Sequence, residues 1–142
     1  MNMKPLTKPW LYAAGIILLA QSCSFDPNIN RQATISGTVI DNVTQLPVPN
    51  VEIMVYGQKG VWSSVSGDLK TVYTDSTGKY NIVIVLPKEF HSFKLINNYN
   101  SDPNVALKYR GCHTYLNGQQ TQNCCKVEMG SKAQYDFRMI PK

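Results

Sequence analysis

The chain is expected to fold as an all-β protein, a single β-sandwich of about seven strands. Three observations point there. Apolar residues alternate with polar ones at a period of two over several short segments, the period of a half-buried strand. The connections between those segments are rich in Gly, Pro, Asn, Asp and Ser, and no stretch of useful length carries a helical period. Composition agrees: hydrophobic content is 43% and charge 16%, with eight Tyr and eight Pro, which suits β-structure with many turns. At 142 residues the chain has room for one ordinary domain and not two.

Thr34–Ile40 opens the sandwich, with Ile35, Gly37 and Val39 on one face and Ser36 and Thr38 on the other. Residues 41–50 are turn material, where Pro47 and Pro49 exclude a central strand. In Val51–Tyr56, Val51, Ile53 and Val55 point inward and Glu52 and Met54 outward. A Gly/Ser-rich loop over 57–68 carries Trp62, and Leu69–Thr74 forms the next strand. Asp75-Ser76-Thr77-Gly78 is a tight turn in which Gly78 can take positive φ. Tyr80, Ile82, Ile84 and Leu86 then share a face. Val83 and Val85 make the other face apolar as well, which predicts a central strand. Phe90–Ile96 supplies a fifth strand and Ala133–Ile140 the last, with Tyr135, Phe137 and Met139 inward and Asp136 and Arg138 outward.

The segment before the sandwich reads as an export and anchoring device. Residues 1–10 carry Lys4 and Lys8, and Leu11–Ala20 is an apolar run too short to cross a membrane comfortably. Leu19 and Ala20, then Gln21-Ser22, lead into Cys23. This pattern resembles the lipobox of a Bacteroidetes-type lipoprotein. The resemblance implies a signal peptide over 1–22, cleavage before Cys23 and acylation of Cys23 with palmitate-type chains. Several acyl chains on one residue hold a protein where a single chain would not. Residues 23–32 would then be the lipidated Cys and a flexible tether, and the place of residence the outer membrane of the cell envelope. Which face of that membrane it occupies stays open, since Asp26 is the single acid in the tether that follows Cys23.

ISGTVIDNVTQLPVPNVEIMVYG followed by VYTDSTGKYNIVI resembles the carboxypeptidase regulatory-like domain. The matching features are Gly37-x-Val39, Pro47 and Pro49, Val51–Val55, and Thr74-Asp75 running into Gly78-Lys79-Tyr80. The likeness covers roughly Ile35 to Leu95 and implies a transthyretin-like (prealbumin-like) sandwich over 33–142. It speaks to fold more than chemistry, because its motifs are mostly turn residues at fixed offsets.

Residues 97–132 depart from that pattern and read as a Cys-containing insertion. Cys112, Cys124 and Cys125 lie there. In an oxidising compartment they are disulfide candidates, and because adjacent cysteines rarely pair, Cys112 is expected to bridge to Cys124 or Cys125. Closing such a loop stabilises by about 3 kcal/mol in the chain-entropy model. A metal site built from Cys112, His113, Cys124 and Cys125 is the sharper alternative, but neither adjacent pair easily aims both ligands at one ion. No metal and no cofactor is expected. His91 reads as a solvated surface residue.

The net charge of +5 is spread singly, with no basic run interleaved with aromatics, so no nucleic-acid partner is expected. The expected function is a non-catalytic, lipid-anchored binding or structural module. Its partners would be the membrane, through the anchor, and an envelope protein or glycan. Trp62, Tyr99, Tyr109 and Tyr115 are the candidate contact aromatics. Asp75-Ser76-Thr77 resembles an O-glycosylation sequon of exported Bacteroidetes proteins, with Ser76 the candidate site. The competing expectation is a small hydrolase of the transthyretin-related type working from 97–132. Tyr109-Arg110-Gly111 resembles the terminal motif of 5-hydroxyisourate hydrolase, but it sits in mid-chain, is followed by Cys112, and the first strand lacks the His of that family. A cleft joining His113, Arg110 and a carboxylate would favour the hydrolase. Glu52 with a nearby Lys also raises an intramolecular isopeptide crosslink, visible as loss of ammonia in the intact mass.

Overall fold

A computed structural model describes residues 30–59, 66–122 and 124–142. Nine strands form two sheets: β1 (Gln32–Asp41), β2 (Glu52–Gln58), β3 (Ser66–Tyr73), β4 (Lys79–Val85), β5 (Ser92–Asn98), β6 (Tyr109–Leu116), β7 (Gln119–Thr121), β8 (Lys126–Val127) and β9 (Lys132–Pro141). Among the described residues, one short helix, α1 (Pro103–Lys108), precedes β6. The first sheet has the order β4-β1-β9-β6-β7 and the second β3-β2-β5-β8. Each pairing is antiparallel except β1 with β9. The all-β sandwich is therefore the fold, and the two extra strands, β7 and β8, are only three and two residues long.

The inward alternation builds the core. Ile35 and Val39 of β1, Ile53 and Val55 of β2, Ile82 of β4, Phe93 and Leu95 of β5, and Tyr135, Phe137 and Met139 of β9 are all essentially inaccessible. Each such side chain contributes about 1.5–3 kcal/mol relative to leaving it in water. Gly37 belongs to this inward set but has no side chain to pack. The space is taken by the Tyr135 carbonyl and by the hydroxyl of Tyr80, which donates to that carbonyl at 2.7 Å. The β1–β9 register runs from Thr34↔Lys132 to Ser36↔Gln134 and resumes at Val39↔Phe137. In the gap, Tyr80 satisfies Tyr135, while Thr38 donates its N–H and hydroxyl to Asp136 Oδ1, both at 2.8 Å. A Cβ at position 37 would overlap the Tyr135 carbonyl oxygen.

The turns follow side-chain chemistry. Asp75 Oδ1 accepts from Thr77 N, Thr77 Oγ1 and Lys79 N at 2.7–3.0 Å, and Gly78 takes φ +72°. The Thr77 hydroxyl is the first of the contacts that hold the Asp75 carboxyl below its usual range. Buried Thr74 donates to the Val48 carbonyl at 2.8 Å and accepts from Val51 N at 2.9 Å, fixing where β2 begins. Arg31 fixes where β1 begins: its guanidinium donates to the carbonyls of Leu86, Pro87 and Phe90 at 2.7–2.9 Å.

Three expectations are corrected. β4 is an edge strand, not a central one: Val83 and Val85 are 44% and 64% exposed. Apolar residues on both faces do not require two covered faces, since β-branched side chains favour a strand on either face. Residues 97–132 are not a loop appended to the sandwich. β6 sits inside the five-stranded sheet against β9, and β8 extends the second sheet. Finally, a helix exists. Asp102 caps α1 by accepting from Asn104 N at 2.8 Å, and Pro103 stands at its first turn. Six residues are too few to show a period of 3.6.

Strand directions define two ends. Asn30, the Leu86–His91 connection, the Asn117-Gly118 turn and the ends of β2 and β3 that flank 60–65 lie at one end. The 42–51 connection, the Asp75–Gly78 turn, α1 and the C-terminus lie at the other. Cys23, Trp62, the signal peptide and most of the tether fall outside the described residues.

Candidate functional site

The residues singled out in 97–132 do not converge. Tyr109 is buried, its hydroxyl donating to Asp41 Oδ2 at 3.0 Å; burial and that carboxylate push the phenol up to about 12. Tyr99 is half-buried and packs on the core. Tyr115 faces outward from β6, but the Arg138 guanidinium covers its ring at 4.3 Å from the centroid. Ser76 is exposed in its turn, and so is His91.

Cys112 stands on β6 as a free thiol, and the adjacent Cys124 and Cys125 lie in the turn before β8. The register places Cys112 opposite Met139, whose side chain is buried between the sheets, and Asn97 Nδ2 donates to the Cys112 sulfur at 3.8 Å and to the Met139 sulfur at 3.5 Å. Burial pushes the Cys112 thiol up. Among the described residues, Asn97 Oδ1 finds no hydrogen-bond partner although it is buried.

A shallow depression of about 380 Å³ lies beside Cys112, bordered by His113, Gln120, Gln122 and Cys124. His113 Nδ1 lies 3.4 Å from Gln120 Nε2. Neither Arg110 nor a carboxylate borders it. Among the described residues, no three His, Cys, Asp or Glu side chains cluster closely enough to hold a metal ion.

A second cleft, about 240 Å³, opens at the far end between Pro47, Val48, Asn50, Asp102 and Val105. Two of its polar groups are spent on structure: Asp102 caps α1, and Tyr109 is tied to Asp41.

The best-developed array is one that the aromatic inventory missed, on the outer face of the four-stranded sheet. β2 pairs with β3 on one side and β5 on the other, so outward residues line up in rows. One row is Tyr73, Glu52 and Asn98; the next is Thr71, Met54 and Ile96; the third is Asp68, Tyr56 and Lys94. Glu52 Oε1 accepts from the Tyr73 hydroxyl at 3.2 Å, and Oε2 accepts from Asn98 Nδ2 at 2.6 Å. Tyr56 stands opposite Asp68 in the register, and its hydroxyl donates to Met54 Sδ at 3.4 Å. Hydrogen bonding to Glu52 is the main cause that raises the Tyr73 phenol; for Tyr56, burial comes first and the Asp68 charge second. Tyr73 is 59% exposed and Ile96 44%. Glu52 is thus engaged by a phenol and an amide. The signal was available: the alternation that sends Glu52 and Met54 outward sends Tyr56 the same way.

No family model and no curated protein matches this chain. Among solved structures, a 9R-lipoxygenase from Cyanothece PCC8801 is similar over 98% of this chain, at 15% identity and a TM-score of 0.36. The chain spans only 15% of that enzyme's length. The major plantain pollen allergen Pla l 1 is similar over 78% of this chain and 94% of its own, at 11% identity and the same TM-score.

Proposed function

We propose that this protein is a non-catalytic, lipid-anchored module of the cell envelope. It is held in the outer membrane through acylated Cys23 and binds a partner with the outer face of its four-stranded sheet. The sandwich is of the carboxypeptidase regulatory-like, transthyretin-like kind. The observation that carries the reading is the Tyr73–Glu52–Asn98 row: an exposed aromatic beside a fixed carboxylate and amide, on a sheet face that no other described element covers. The entry point of the chain supports it. Arg31 pins the start of β1 at one end, so a tether leaving there keeps the sheet face lateral and the 42–51 and α1 end farthest from the anchor. Ser76, at that far end, is exposed for O-glycosylation.

The test is metabolic labelling with an alkyne fatty acid. The wild-type protein takes up label and sediments with membranes, while Cys23→Ala loses both. Label retained in Cys23→Ala would reject the anchor.

A further inference from the structure

We propose that the outer face of the four-stranded sheet is a carbohydrate-binding strip. Tyr73 and Tyr56 are its stacking surfaces, and Glu52, Asn98 and Asp68 read the hydroxyl groups. The inference rests on the binding role proposed above and names the class of ligand.

The Glu52 carboxylate is held at both oxygens, yet each oxygen keeps a free lone pair, since a carboxylate offers about four acceptor sites. Asn98 retains its amide oxygen, while its Nδ2 group is shared between Glu52 Oε2 and Met54 Sδ, the latter at 3.6 Å. The row therefore presents hydrogen-bond acceptors side by side, already oriented, which is what the donating hydroxyls of a sugar require. Beside it, the Tyr73 ring is exposed but tethered by its own hydroxyl, so little freedom is lost when a ligand stacks on it.

The pattern repeats. Tyr56 with Asp68 stands four residues along β2 from Glu52, about 13 Å at the rise of an extended strand. Met54 and Ile96 form a low apolar saddle between the two rows. Two aromatic–carboxylate pairs on one sheet face, with the β2–β3 register shifting between Val55 and Tyr56, suit an oligosaccharide chain better than a single sugar. A protein partner would call for a broad apolar patch with a polar rim; here the apolar part is narrow and both flanks are polar. A polyanion finds Glu52 and Asp68 in its way, with Lys94 the cation of the three rows.

The test is native affinity electrophoresis of the full chain in mild detergent, through gels containing mannan, laminarin or xyloglucan, with heparin as the anionic comparison. Retardation is expected in at least one neutral gel. Tyr73→Ala is expected to weaken it on the order of tenfold, and Glu52→Gln to weaken it as well. Tyr73→Phe, which keeps the ring, retains most of the binding, and Val83→Ser on the other sheet is unchanged. Migration unaltered in all three neutral gels, retardation by heparin alone, or equal retardation of wild type and Tyr73→Ala would each overturn the proposal. Failure of the anchor is read separately, as loss of fatty-acid label, and leaves the electrophoresis unaffected.

Discussion

Replacing Tyr80 by Phe deletes one oxygen and tests how the two halves of the five-stranded sheet are joined. The Tyr80 hydroxyl reaches the space that Gly37 leaves and bonds the Tyr135 carbonyl there, at a point where the β1–β9 ladder is interrupted. Removing the hydroxyl leaves a buried carbonyl without this donor, at a cost of about 1–3 kcal/mol. For a domain of this size, 2 kcal/mol lowers Tm by roughly 8 °C. The assay is thermal and urea unfolding by circular dichroism, with the urea slope unchanged because the surface exposed on unfolding is the same. Alkaline pH gives a second reading of the same group. Burial, then the nearby Asp136 charge, raises the Tyr80 phenol far above its ordinary 10.0. The folded protein holds a proton that the unfolded chain releases above about pH 10, so this stabilisation is whole below pH 10 and is lost as pH rises beyond it. Tyr80→Phe should flatten that alkaline loss. An unchanged Tm in Tyr80→Phe, with the same alkaline slope as wild type, would refute the role given to this contact.

Neighbouring residues on β4 should behave oppositely: Ile82→Ala is expected to cost about 2–5 kcal/mol and Val83→Ala within about 0.5 kcal/mol, measured by urea unfolding. Equal losses would mean that β4 is covered on both faces. At the Asp75 turn, the folded carboxyl is held down by Thr77, so its contribution is present above the unfolded value near 3.8 and lost as pH falls through the folded one. Asp75→Asn should destabilise at pH 7 and remove part of the acid-side slope, followed by circular dichroism. Cys112, with its thiol pushed up by burial, should react with iodoacetamide more slowly at pH 8 than in the urea-unfolded chain, read by peptide mass mapping.

What the sequence made legible was whatever depends on local alternation. The inward sets of β1, β2 and β9 and the Gly78 turn are all where the period of two puts them. Pairing partners are nonlocal, and that is where the reading failed. β4 has apolar residues on both faces and nothing in its own stretch tells an edge from a centre. Residues 97–132 read as an insertion because they depart from the carboxypeptidase regulatory-like pattern, and the alternation of Tyr109–Leu116 is irregular. A bulge between Tyr109 and Gly111 shifts its register against β9, which obscures the period. The candidate site was half legible. Glu52 was placed outward correctly, but Tyr73 and Asn98 come beside it only through pairing across β3 and β5. Aromatics in the connecting segments drew attention instead, and Tyr109, the clearest case, is held by Asp41 inside the fold.

The anchored-module account is tested most directly by the intact mass of the chain extracted from native membranes. It predicts a polypeptide beginning at Cys23 with acyl chains added to that residue. A mass equal to the full 142 residues, or to a cleaved chain without acyl groups, would contradict it.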